Sequence, residues 1–185
     1  MMTEISLNVL DVVQNSICAK ADMIGVSVAV DSIRDTLEII ISDNGCGMTE
    51  EQVKKVVDPF YTTRTTRAVG LGIPFFKYAA ESTGGSFTIC SEPGKGTVVT
   101  AVFVLSHLDR MPLGDMTGTM HMLITGNNAI DFLYSYAVDG KSFTLDTREF
   151  REILGDVPFD MFEVSCYIKE YLQENKDYVD EGRYI

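Results

Sequence analysis

DNGCGM, residues 43–48, is the stretch on which the fold turns. It follows Leu37, Ile39 and Ile41, apolar at every second position, so it is a loop leaving a strand with one buried face. Asp43 places a carboxylate at that exit, able to accept a hydrogen bond from an exocyclic amine, and Gly45 and Gly47 let backbone approach a flat ring closely. Taken alone, the stretch is also the pattern of an ordinary tight turn. Upstream, Met23 to Val30 repeats the alternation with Val26, Val28 and Val30, a second strand. Downstream, Thr49 with Gln52 three residues on is a capping-box signature opening a helix.

Further upstream, residues 5–17 put Ile5, Val9, Val12 or Val13, and Ile17 on one helical face. Asp11 and Asn15 are four apart and share a face of that helix. Lining a pocket, Asn15 suits a Mg2+ ion that also holds phosphate oxygens, and Asp11 suits orienting or deprotonating a water. On the helix exterior both would simply be solvated. Beyond a polar stretch at 61–69, Val69-Gly70-Leu71-Gly72 opens a helix from about Ile73 to the Gly84-Gly85 stop, with Pro74 in the first turn. Free amides and the helix dipole make that start an anion site, or else the glycines only serve a turn. Strands at 86–91 and 97–105 flank the turn EPGKG, where the Thr97 hydroxyl stands within reach of a phosphate.

The order of these elements resembles the GHKL superfamily of gyrase, histidine kinases and mismatch-repair ATPases, over residues 4 to about 105. LDVVQNSICAKADMIGVSV and SDNGCGM are similar to the mismatch-repair and gyrase branch; DPFYTTR, GLG and SEPGKGT are similar to histidine-kinase catalytic domains. The resemblance implies an α/β chain of the α+β two-layer sandwich kind, the Bergerat-type ATP-binding fold with helices on one face of a mixed sheet. It implies ATP and Mg2+ as cofactors, Asp11 as catalytic base and Asn15 as magnesium ligand. It makes Asp43 the adenine anchor, with Gly45, Gly47 and Met48 shaping the adenine pocket. Gly70, Leu71 and Gly72 would cradle phosphates, and Thr97 would support Asp43 through a water rather than touch phosphate.

Four positions depart from the pattern. Asp11 stands where the hydrolytic branch has Glu, one methylene longer, which implies slow hydrolysis. Cys18 stands where the kinase branch has Lys or Arg. Ala68 replaces the first glycine of the phosphate loop, and the lid between Phe60 and Gly70 is short, with Arg64 and Arg67 in it. SHLDRMPL at 106–113 superficially resembles a phosphoacceptor box at His107, but Leu108 follows the His and Pro112 and Gly114 interrupt any helix, so a connector is expected.

The chain divides on this reading into an ATP-binding domain at 1–106, a connector at 107–118 and a small α+β C-terminal domain at 119–185. The last holds a strand at Met120–Thr125, a hairpin across Asp139-Gly140 and helices capped by Asp146 with Glu149 and by Asp160 with Glu163, the second reaching about Asn175. Tyr134, Tyr136, Tyr167, Tyr171 and Tyr178 there suit either a recognition surface or core packing. A net charge of −12 repels phosphate backbones, so no nucleic-acid partner is expected. No apolar run is long enough to span a membrane, and the first eight residues lack a signal peptide's basic start and apolar core, so a cytoplasmic protein is expected. Cys18, Cys46, Cys90 and Cys166 show no zinc spacing and are expected as reduced, mostly buried thiols. The expected activity is ATP binding with slow Mg-dependent hydrolysis, nucleotide state controlling a protein partner. A protein kinase resembling anti-sigma-factor kinases and a non-hydrolysing nucleotide module are the alternatives.

Overall fold

The computed structural model describes residues 3–58 and 71–185. Helix α1 (Ile5–Cys18) precedes β1 (Met23–Asp31), β2 (Thr36–Asp43), α2 (Glu50–Val56), α3 (Gly72–Glu81), β3 (Ser86–Glu92) and β4 (Gly96–Val104). Then come α4 (Met116–Gly126), β5 (Asp131–Val138), β6 (Lys141–Asp146), α5 (Thr147–Leu154) and α6 (Phe162–Asp180). The strands form one six-stranded sheet in the order β3-β4-β2-β1-β5-β6. All its pairings are antiparallel except β1 with β5, so the sheet is mixed.

Period-two patterning decides which face is covered. Along β1 burial alternates residue by residue, and Val26 is level with Ile41 and Tyr134, all buried. The opposite face carries Gly25, Ser27 and Ala29 in β1 and Ser135 and Ala137 in β5, none of them fully buried. Helices α1, α3, α4 and α6 contribute to one apolar cluster with the covered face, from Ile5 and Val9 through Phe76 and Met120 to Ile168 and Leu172. The expected two-layer sandwich with a mixed sheet is therefore the observed architecture.

The C-terminal part departs from expectation in three ways. First, it does not stand apart: β5 lies in register beside β1 from Met23↔Asp131 to Val30↔Val138, so residues 119–185 share the sheet and core of residues 1–106. The pairing covers what would otherwise be an apolar, unpaired edge of β1. Second, Met120–Thr125 is helical, within α4, which begins inside the expected connector. Asp115 caps it by accepting from the Gly118 amide, and Met116, Met120, Leu123 and Ile124 bury one face at helical spacing. The rest of the connector is tied down, since the Ile5 and Ser6 amides donate to the carbonyls of Pro112 and Leu113. Third, Asp160 does not cap α6; its carboxylate accepts from the Asn128 amide group, and α6 runs on to Asp180.

Other expectations are met locally. Thr49 and Gln52 form the capping box at α2. Asp139 and Gly140 both take positive φ, 49° and 89°, the turn that joins β5 to β6. The tyrosines divide. Tyr134 and Tyr136 are core residues, the Tyr136 hydroxyl donating to buried Asp180 at 2.9 Å, whereas Tyr167 and Tyr178 are exposed. The four cysteines are free and all exposed, against the expectation of burial, because each sits on an open helix or strand face or in the 43–48 loop.

Candidate functional site

Strand β2 ends at Asp43, and the chain turns there under local constraints. The Gly45 amide donates to Asp43 Oδ1 at 2.9 Å, and the Ser16 hydroxyl donates to Oδ2 at 2.6 Å. Each carboxylate oxygen thus has one partner and lone pairs to spare, aimed by an α1 side chain and by its own loop. Thr97 is level with Asp43 on β4 and shares a hydrogen bond of 2.8 Å with Ser91, whose hydroxyl also takes the Met48 amide.

These groups open on one cavity of about 190 Å3, lined by Asn15, Ser16, Asp43, Gly47, Met48 and Thr97 among apolar walls from Val12, Ile41, Val56, Ile73 and Val99. That volume is below the roughly 300 Å3 at which clefts for whole drug-sized ligands begin, and suits a planar ring with the remainder of a ligand outside. Gly45 and Gly47 are required for contact with the chain's own backbone. A Cβ on Gly45 would lie 2.8 Å from the Ala19 carbonyl oxygen, and one on Gly47, at φ 65°, 2.0 Å from that of Glu92.

Asp11 lies outside this cavity, one turn before Asn15, against the start of α3. A Cβ added to Gly72 would stand 2.8 Å from Asp11 Cβ and 3.3 Å from its Oδ2, so only glycine lets the two helices meet there. No described side chain caps α3 at Leu71, and the helix starts beside the Asp11 carboxylate with first amides that have no partner within the helix. Gly70, Ala68, Arg64, Arg67 and the DPFYTTR stretch beyond Asp58 lie outside the described residues. The structure thus joins Asn15, Asp43, Gly47, Met48 and Thr97 around one cavity, sets Gly45 behind the loop, and puts Asp11, Leu71 and Gly72 at a neighbouring helix junction. Ser16 and Ser91, which hold Asp43, Met48 and Thr97, were not anticipated, because the contacts at Asp43 and Met48 lie 27 and 43 positions away in the chain.

Burial pushes the Asp11 carboxyl above its ordinary value. A carboxyl raised on folding favours the folded state below its unfolded pKa, and that contribution is lost as pH rises through the folded pKa. Near pH 7 the ionised Asp11 therefore opposes folding. Asp11→Asn is expected to raise the melting temperature at pH 7 slightly, the gain shrinking as pH falls toward the carboxylate range near 4. Thermal melts across that range check it, and a gain independent of pH would show that ionisation of Asp11 is not its source.

Residues 2–107 match the model of the histidine kinase-, DNA gyrase B- and HSP90-like ATPase family. A putative sensor protein of Shewanella frigidimarina is 31% identical over 102 residues, 54% of this chain and 16% of that protein. Sporulation kinase E of Bacillus subtilis is 34% identical over 90 residues, 48% of this chain and 12% of that protein. The chain therefore spans under a fifth of the length of these relatives. Among solved structures, the N-terminal domain of a DNA repair protein superposes with a TM-score of 0.56 at 19% identity, covering 78% of this chain and 53% of that one. The Aquifex aeolicus MutL ATPase domain complexed with ADP gives 0.50 at 14% identity, covering 83% and 70%. With more than half its length matched by the family model and the same fold in the MutL ATPase domain, this chain belongs to the histidine kinase-, DNA gyrase B- and HSP90-like ATPases of the GHKL superfamily.

Proposed function

We propose that the chain binds ATP with its adenine in the Asp43 cavity, hydrolyses it slowly with Mg2+, and uses nucleotide state to control a protein partner. The observation that carries this reading is Asp43, held by Ser16 and Gly45 with lone pairs free over a cavity the size of a ring. Asn15 on the cavity rim offers one neutral oxygen, which fits an ion that keeps its waters and binds mostly phosphate. When bound, Mg2+ would neutralise charge on the phosphates and hold them in line. Asn15 orients that end of the nucleotide, the first amides of α3 at Leu71 and Gly72 receive phosphate oxygens, and Asp11 beside them takes a proton from water. That water's oxygen bonds to the terminal phosphorus as the bond to the bridging oxygen breaks, releasing ADP.

Calorimetric titration with ATP tests the binding step. Asp43→Asn exchanges an acceptor-only group for one that also donates, at a hydrogen bond of charge-assisted strength. Affinity is expected to fall about 10- to 150-fold, the range of 1.5–3 kcal/mol. Asn15→Ala is expected to remove the dependence on Mg2+. Unchanged affinity in Asp43→Asn would overturn the adenine assignment. The names of relatives such as sporulation kinase E favour a second reading, transfer of the phosphoryl group to a protein side chain. Label from γ-labelled ATP retained on protein, instead of appearing as free phosphate, would establish it.

A further inference from the structure

Helix α5 is amphipathic, yet among its residues only Thr147 is fully buried. Its apolar residues Phe150, Ile153 and Leu154 face Val164, Tyr167 and Ile168 of α6 across a groove of about 320 Å3. Ile153 is 82% exposed, Tyr167 56%, and Phe162 at the start of α6 is 77% exposed. Exposed apolar side chains gathered into one concave patch mark an interaction site far better than scattered ones. The walls are fixed. Phe150 packs edge-on against Tyr167 and Tyr171, with ring centroids 6.2 Å and 5.7 Å apart.

The rim is one-signed. Glu163 lines the groove itself, and Glu149, Asp156, Asp160 and Glu170 are exposed on or beside these two helices. Nearby cations are largely spent. Arg148 is bound to Asp146 at 2.6 Å, and Arg151 to Asp131 at 2.7 Å while lying over the Phe159 ring. Lys169 is left to offset the carboxylates. Both walls are helices, whose main-chain groups bond internally except at the first amides of α6, so the groove offers an incoming strand no ladder of backbone partners. An occupant must satisfy its own backbone, which selects a helix over an extended strand.

We propose that this groove seats an amphipathic helix of a partner protein, with bulky apolar residues at i, i+3 or i+4, and i+7, and Lys or Arg on its flanks. An anionic membrane surface is disfavoured by the acidic rim. The assignment gives a place to the partner proposed above and rests on that part of the reading, not on ATP turnover.

The probe is a fluorescein-labelled 14-residue peptide of leucine at helical spacing with lysine elsewhere, compared with the same peptide carrying glutamate for lysine. Anisotropy is read against the nucleotide-free full chain. Saturable one-to-one binding of the lysine peptide is expected, with the glutamate peptide at least tenfold weaker. Ile153→Asp should weaken binding at least tenfold, and Glu163→Lys with Glu170→Lys several-fold with a flatter salt dependence. Phe162→Ser supplies a second probe of the same surface should Ile153→Asp lower the melting temperature. Asp43→Asn, defective in nucleotide binding, should bind the peptide as the unaltered chain does, which separates failure of the groove from failure of the nucleotide site. Binding that ignores both Ile153→Asp and Phe162→Ser, equal binding of the two peptides, or a dimer that Ile153→Asp dissociates would overturn the proposal.

Discussion

Phosphate release from Mg·ATP is expected to fall about 10²- to 10⁴-fold in Asp11→Ala, the usual contribution of a positioned general base, while ATP affinity changes less than about threefold. The separation follows from the architecture. Asp11 is outside the cavity that holds Asp43 and Thr97, and stands instead where α1 meets the first residue of α3. Removing it should therefore spare the ring end of the nucleotide. Its raised carboxyl pKa, caused by burial at that junction, makes it a better proton acceptor than an exposed aspartate. Release should rise with pH through that raised pKa and then level off. Asp11→Glu is expected to restore release to at least the original rate if the shorter side chain limits the proposed hydrolysis. Release that survives in Asp11→Ala would remove Asp11 from the chemistry, and loss of binding in the same variant would make it a structural residue of the junction.

Much of the fold around the proposed nucleotide site, and the β5–β6 turn, was legible because its information is local. Alternation at Val26, Val28, Val30 and at Leu37, Ile39, Ile41 fixes strand faces, Thr49 and Gln52 close on each other, and Asp139-Gly140 sets its own turn. What escaped was long-range or masked by composition. Nothing near Phe132 or Tyr134 says that β5 pairs with β1; an alternating strand would serve equally well in a sheet of its own. Residues 120–125, MHMLIT, are a short apolar run after a Gly-bearing connector and so read as a strand. Tertiary burial of Met116, Met120 and Ile124, with the Asp115 cap, overrides that preference. Ser16 was hidden for a similar reason, since its role lies in a hydrogen bond to Asp43, 27 positions later in the chain.

Gly96→Ala and Gly94→Ala, two residues apart in one turn, are expected to differ by about 3 kcal/mol in stability, with Gly96→Ala the damaging change. Both glycines have positive φ, 76° at Gly94 and 111° at Gly96, so each substitution carries a conformational cost of about 1–2 kcal/mol. Only one also meets an obstacle. A Cβ on Gly94 has nothing within 4 Å, whereas one on Gly96 would lie 1.9 Å from the Asp43 carbonyl oxygen and 2.8 Å from Asn44 Cα. Those atoms are backbone, so relief requires prising β4 from β2 where Asp43 and Thr97 are level. Total losses of about 4–5 kcal/mol are the scale at which such clashes fall. For a chain of 185 residues they lower the melting temperature by about 10–15 °C, against about 3–6 °C for Gly94→Ala. The displaced group is the backbone of the proposed adenine anchor, so the surviving folded Gly96→Ala protein should also bind ATP at least tenfold more weakly, while Gly94→Ala binds normally. Melts of equal depth in the two variants would show that β2 and β4 are not pressed together at Asp43, and the cavity built on that contact would have to be redrawn.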